Sequence, residues 1–281
     1  MNKKLTAQIL LILVTVIWGS TFIMVKDALN DAGPFIFATM RFAIAGLLTI
    51  ILLNKNIFNL SKLEIYGGFF AGFFLFGGYA FQNFGLIYTS ASKSAFITSV
   101  SVLLVPIILY IFKVQKIKFK TWIAVFVATL GLFILINPTG ENMNLGDILT
   151  LGCAICFAIH IIFQDFYLKK NVRVLHFFLI QTLTVAILSY FNSLIFEPVF
   201  VSWSTRLINA ILITGIAGTF IAIIVMIWAQ KILNPSQTAI IFTLEPVFAA
   251  LFAILYAGEI LGISGYIGGG IIVFAVGYSE I

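Results

Sequence analysis

Charge is what this sequence has least of: only 9% of its 281 residues are Asp, Glu, Lys or Arg, against about a quarter in soluble domains. That deficit excludes a water-facing globular surface. Cysteine is nearly absent too, with Cys153 and Cys156 alone. One C-x-x-C pair cannot complete a four-ligand zinc site, nothing redox-like surrounds it, and the pair reads as small packing residues. Histidine occurs twice, and no H-E-x-x-H or other convergent acid/base grouping appears, so an intramembrane enzyme acting on lipid finds no support. No metal, no cofactor and no catalytic residue is expected. Long polar stretches are also missing. The longest runs from Asn137 to Asn144, and every other connection is too short for a soluble domain or an ATP-binding module, so any transport would draw on a gradient.

What remains is apolar. Hydrophobic residues make up 62% of the chain and the mean hydropathy is +1.14. Runs of membrane length, about 18 to 25 residues, fall at 7–25, 34–53, 65–88, 94–112, 121–136, 146–166, 175–196, 207–230, 235–256 and 260–278. The sequence therefore predicts an all-α polytopic membrane protein of ten helices. Met1-Asn2-Lys3-Lys4 before the first run resembles a signal peptide, but the run is long and ends without a small-x-small cleavage site, so it reads as a permanent helix. Lys and Arg are retained on the cytoplasmic side of short loops. With the N-terminus inside, that side holds Lys3, Lys4, Lys55, Lys62, Lys113, Lys116, Lys118, Lys120, Lys169, Lys170, Arg173 and Lys231, and the other only Lys26, Lys93 and Arg206. Both termini are expected in the cytoplasm and the protein in the plasma (inner) membrane. A pI near 9.3 raises nucleic acid as a partner, but the cations are dispersed without patch or motif and no nucleic acid is expected.

The chain carries a weak duplication. Ala91-Ser92-Lys93-Ser94-Ala95-Phe96-Ile97 returns as Pro235-Ser236-Gln237-Thr238-Ala239-Ile240-Ile241, and Phe37, Arg41 and Leu48 fall on Phe177, Gln181 and Leu188 at a slightly shorter offset. Five crossings per half is an odd number, so the halves are inverted, the plan of secondary transporters with a substrate site where they meet. The expected units are a first repeat over 1–137, an outside linker over 138–145 and a second, inverted repeat over 146–281. Glycines such as Gly67-Gly68, Gly215 with Gly218, and Gly265 with Gly269 read as close-packing positions. The last pair alternatively marks a dimer contact, so the chain is a monomer or a homodimer.

Polar side chains inside a membrane are costly and face a cavity or one another. Ser94, Thr98 and Ser101 share a face of the fourth helix, and their counterparts Thr238, Phe242 and Glu245 share that of the ninth. Tyr79, Gln82 and Asn83 on the third match Ile223, Met226 and Ile227 on the eighth, where Gln230 matches Leu86. His160 and Gln164 mark a stripe on the sixth helix, Trp18 and Phe22 one on the first. Apart from the counterparts Ile223, Ile227 and Leu86, these are candidate substrate contacts, with plain interhelical hydrogen bonding as the alternative. Pro246 frees the carbonyl of Phe242 and Pro106 that of Val102, which makes both candidate helix kinks. Arg41 sits seven residues past Pro34, about 10 Å along its helix, shallow enough to snorkel outward. It is read, with Lys26 and Glu259, as a gating or structural charge.

Trp18-Gly19-Ser20-x-Phe22 with Lys26, Arg41-Phe42, and Leu244-Glu245-Pro246-Val247-Phe248 followed by Gly258-Glu259 together resemble the EamA-type branch of the drug/metabolite transporter superfamily. The resemblance spans essentially the whole chain. It implies ten helices in two inverted repeats, a central cavity, and movement of metabolites such as amino acids or their derivatives, often outward. Two departures stand out: Ser101-Val102 occupies the place of Glu245-Pro246, and the chain ends at Glu280-Ile281 without the family's usual basic tail, leaving a truncated C-terminus as an expectation. The functional expectation is a secondary active exporter of small metabolites, amino acids or related zwitterionic and aromatic compounds, working by alternating access, with a proton on Glu245 or His160 as coupling ion. The alternatives are a multidrug exporter and a passive channel. Beyond substrate, proton and lipid bilayer, no partner is implied.

Overall fold

Caps and glycines shape the bundle. The computed structural model describes residues 2–136, 143–197, 200–257 and 262–280. They form ten apolar helices: α1 (Lys3–Ala28), α2 (Pro34–Leu53), α3 (Lys62–Tyr88), α4 (Ala91–Ile111), α5 (Phe119–Ile136), α6 (Leu145–Leu168), α7 (Val174–Phe196), α8 (Thr205–Gln230), α9 (Pro235–Tyr256) and α10 (Ile263–Glu280). Most starts follow from side chains that accept the first free backbone N–H groups. Ser61 with Glu64, Asn144 with Asp147 and Asn234 with Gln237 form reciprocal capping boxes, while Pro34 opens α2 where its missing N–H costs nothing. Eight helical stretches are long and apolar enough to span a bilayer. The shorter pair, α5 and α10, adjoin residues outside the described set. Large side chains such as Phe126, Phe133, Ile195 and Phe274 lie exposed on the outside, an arrangement suited to lipid and ruinous in water.

The helix contacts have an internal symmetry. The chief pairs are α3–α6 with α8–α1, α2–α8 with α7–α3, α1–α9 with α6–α4, and the self-paired α2–α7 and α5–α10. Exchanging α1–α5 for α6–α10 maps this set onto itself, as a two-fold relation between halves requires. Glycines permit the tightest approaches. A Cβ on Gly268 would lie 2.3 Å from the Leu135 backbone nitrogen, and one on Gly19 would lie 2.8 Å from Ala249 N and Glu245 O. Gly265, read beforehand as part of a possible dimer motif, lies at the start of α10.

The symmetry extends to the loops with charges exchanged. Asp31, after α1, pairs with Arg206 at the start of α8 through two oxygens at 2.9 and 2.8 Å, and also accepts from Ser204 at 2.6 Å. Glu64, at the start of α3, pairs with Arg173, after α6, at 2.7 Å through each carboxylate oxygen. Both bolts link positions that correspond across the halves: 31 falls on 173 and 64 on 206 at one shared offset, acid facing base in each case. Glu197 adds to the first bolt by accepting from the N–H groups of Phe35 at 2.7 Å and Ile36 at 3.3 Å, an anion at a helix start. The Arg206 and Ser204 hydrogen bonds hold Asp31 below the usual carboxylate range. Its contribution is therefore full above the unfolded value of about 3.9 and is lost as pH falls through the depressed folded value. Asp31→Asn is expected to lower the melting temperature at pH 7, and that gap to the wild type to close as pH drops below about 4, read by fluorescence-detected size exclusion after heating.

Two helices are interrupted. α4 breaks at Val100, between Ala91–Ser99 and Ser101–Ile111, and α9 at Thr243, between Pro235–Phe242 and Leu244–Ala257. The expected kink at Pro106 is not where α4 breaks: the proline lies inside a continuous helical stretch, six residues later. Pro246 does lie by its break, in the first turn of the restarted helix, where no N–H is needed. The matching break in α4 has no proline beside it, so a proline is not required for such a break.

Candidate functional site

Between the halves lies a cavity of about 770 Å³, its mouth included, walled by α1, α2, α3, α4, α6, α8 and α9. The interrupted helices deliver polar groups to it. Thr98, Ser99 and Ser101 flank the α4 break, and Phe242 and Glu245 flank the α9 break. The Thr98 hydroxyl accepts from Gln82 Nε2 at 3.4 Å and lies 3.7 Å from Cys153 Sγ, which ties α3, α4 and α6 together. Aromatic rings make the apolar wall. Trp18 meets Phe242 edge-on at 5.1 Å between centroids, and Tyr79 meets Phe42 at 5.0 Å and Phe157 at 5.4 Å.

Arg41 is the feature that depth along the helix did not foretell. Instead of snorkelling to an interface, it turns inward, is 4% exposed and lines the cavity. Its Nε donates to Thr219 Oγ1 at 2.6 Å, and its Nη2 to the Tyr79 hydroxyl at 3.1 Å and the Gly218 carbonyl at 3.4 Å. The guanidinium carbon stands 4.5 Å from the Tyr79 ring centroid, within cation–π range. Both acceptors on α8 lie within Thr214–Ile221, which is wound as a π-helix, a rare form that recurs at functional sites. Trp18 Nε1 donates to the same Gly218 carbonyl at 2.8 Å. A Cβ on Gly218 would come within 3.3 Å of Arg41 Nη2, close enough that the guanidinium would have to give slightly.

Ten of the fifteen anticipated contacts meet at this cavity: Trp18, Phe22, Tyr79, Gln82, Thr98, Ser101, His160, Met226, Phe242 and Glu245. His160 Nε2 lies 2.9 Å from Gln181 Nε2 on α7. The other five lie off the cavity wall. Asn83 donates to the Pro34 carbonyl at 3.2 Å, Gln164 and Gln230 hydrogen-bond each other, and Ser94 and Thr238 are buried away from the cavity. Sequence reasoning passed over Thr21, Leu75, Ser99, Phe157 and Ile161 on the wall, and Thr219 and Gly218 behind Arg41. The spacing of Gly215 and Gly218 beside two threonines was the available signal, and it read as packing.

Lys26 and Lys93 act at one end of the bundle. Lys26 donates to the Thr89 carbonyl at 2.5 Å, the Thr89 hydroxyl to Asp147 at 2.8 Å, and Lys93 pairs with Asp147 at 2.8 Å. Lys26 is thus a structural tie outside the cavity wall. Glu259 lies outside the described residues. Cys153 and Cys156 are free thiols, and among the described residues no group of three metal-ligating side chains converges.

Comparison with known proteins agrees with this architecture. The model of the EamA-like transporter family matches the chain twice, over residues 5–137 and 144–279. An uncharacterized transporter of Archaeoglobus fulgidus is 37% identical over 98% of this chain and 85% of its own length. The uncharacterized transporter YoaV of Bacillus subtilis is 20% identical over 92% and 91%. A crystal structure of a protein only 16% identical superposes with a TM-score of 0.82 over 98% of each chain, which establishes the shared fold.

Proposed function

This chain belongs to the EamA-like transporter family and is a multi-pass membrane transporter, and from that premise we propose that it is a secondary active exporter of small metabolites, amino acids or related zwitterionic and aromatic compounds. The observation that carries the reading is the mid-bundle cavity, apolar on most sides yet fitted with Arg41, Gln82, Thr98, Ser101, His160 and Glu245. A few polar anchors in an aromatic pocket is the pattern of small-molecule sites. Such a site, between five-helix halves over 1–137 and 146–281 joined by a linker at 138–145, suits alternating access by rocking of one half against the other. The positive-inside bias supports a plasma-membrane protein with both termini in the cytoplasm. A channel is disfavoured because the polar groups are gathered in one chamber and not strung along a pore.

Glu245 and His160 both line the cavity, and either one carries the coupling proton in this reading. Reconstitution into proteoliposomes tests it. Saturable flux that accelerates when substrate is present on the far side, and that rises with an imposed pH gradient, is the expected result. Flux indifferent to the gradient would remove proton coupling, and flux without saturation would point to a channel.

A further inference from the structure

The cavity does not keep the two-fold symmetry of the helices around it. Trp18 and His160, Gln82 and Met226, and Ser101 and Glu245 are counterparts in the duplication, and both members of each pair line the wall. The match stops one turn further on. Phe22 and Val25 on α1 and Leu86 on α3 line the cavity, whereas their counterparts Gln164 and Tyr167 on α6 and Gln230 on α8 do not. Phe22 and Leu86 lie towards the end of the bundle at which α1 and α3 finish, Gln164 and Gln230 towards that at which α6 and α8 finish. The chamber is therefore drawn to the first end and stops short of the second. Lysine-to-carbonyl ties occur at both ends, from Lys26 to Thr89 and from Lys231 to Val172, so the difference lies in the layer beneath them.

In that layer Gln164 Nε2 donates to Gln230 Oε1, and the two side chains belong to residues 0% and 3% exposed. The contact is incomplete. Gln164 Oε1 and Gln230 Nε2 are buried and have no hydrogen-bond partner among the described residues. Buried amide atoms left unpaired are costly, and water would remove that cost. Parting the pair thus gives up one hydrogen bond while returning two stranded atoms to water, a balance that lets the contact hold and still open.

We propose that the amide pair of Gln164 and Gln230 is the cytoplasmic gate of the cavity, and that in the alternate state both amides turn to the chamber as Phe22 and Leu86 do now. The inference rests on alternating access and on the orientation proposed above. Halves built alike can exchange conformations, so the asymmetry seen here has a mirror state in which Phe22 and Leu86 pack together and the glutamines are wetted. The inner gate closes through amides, the outer through apolar side chains.

The test uses the full chain in right-side-out and inside-out vesicles, with Ser101→Cys in a Cys153→Ala/Cys156→Ala background and a membrane-impermeant methanethiosulfonate. The readout is the labelling rate from the cytoplasmic side divided by that from the outer side. Gln164→Ala/Gln230→Ala is expected to raise this ratio about five-fold, the scale of one net hydrogen bond. Gln164→Phe/Gln230→Leu, which copies the residues of the other half, is expected to lower it by about as much. An unchanged ratio in both variants, shifts in one common direction, or shifts with the signs exchanged would overturn the proposal with alternating access intact. Labelling of Ser101→Cys from one side alone, with both glutamines in place, would remove alternating access and this inference together. Should the paired variants not fold, Gln164→Cys in the same background decides: labelling from the cytoplasmic side only is expected, and no labelling, or labelling from the outer side, would overturn the proposal.

Discussion

Replacing Gly19 with leucine is expected to reduce both folded yield and flux by about ten-fold or more, the cost of overpacking by roughly 1–3 kcal/mol being compounded by displacement of the site. A Cβ there would press on backbone atoms, Ala249 N and Glu245 O at 2.8 Å each, and on Phe248 Cβ at 2.9 Å. Backbone cannot swing aside as a side-chain tip does, so α1 must back away from α9. The two residues that would move first are Trp18, which holds the Gly218 carbonyl at 2.8 Å, and Glu245 itself. The control is Gly270→Leu, since nothing lies within 4 Å of the position where its Cβ would sit. That variant should keep yield and flux near wild type. Size-exclusion profiles and proteoliposome uptake, measured on the same preparations, separate the two quantities.

Arg41→Leu is expected to lower flux by about 100-fold, equivalent to roughly 2.8 kcal/mol, and yield by much less. The substitution removes the fixed cation from the cavity and strips Thr219 Oγ1, the Tyr79 hydroxyl and the Gly218 carbonyl of their donor. Orphaned buried polar groups cost about 1–3 kcal/mol, but Trp18 continues to satisfy the Gly218 carbonyl, and α2 keeps its long contact with α7. Arg41→Lys retains the charge without the planar fork and should fall between, near a ten-fold loss by the same scale. If lysine and leucine were equally impaired in yield and flux, Arg41 would be a packing residue and no part of the transport site.

Particular elements explain how far the sequence could be read. The run at 34–53 coincides with α2 as observed, and 235–256 with α9, because apolar length is imposed by the bilayer and is visible in one dimension. The faces on α3, α4 and α9 were also legible, since side-chain spacing of three and four fixes azimuth within one helix. Arg41 was harder. Its depth near the start of α2 said nothing of which way the helix turned it, and its acceptors are on α3 and α8, one of them 178 positions away. The π-helical turn leaves no mark in hydrophobic periodicity, so Thr219 went unnoticed. Gln164 and Gln230 show the opposite failure: each sits on a polar stripe, yet they hydrogen-bond each other off the cavity. The Asp31–Arg206 and Glu64–Arg173 bolts were present in the duplication all along, but with acid and base exchanged they do not look like a match.

The account turns on a single chamber that opens to each side of the membrane in turn. Ser101→Cys, in a Cys153→Ala/Cys156→Ala background, tests this directly with a membrane-impermeant thiol reagent applied separately to right-side-out and inside-out vesicles. Ser101 lines the cavity, and the change is small. Labelling from both sides, each slowed by transported substrate, is the predicted result. Labelling from one side alone, or from neither, would contradict it.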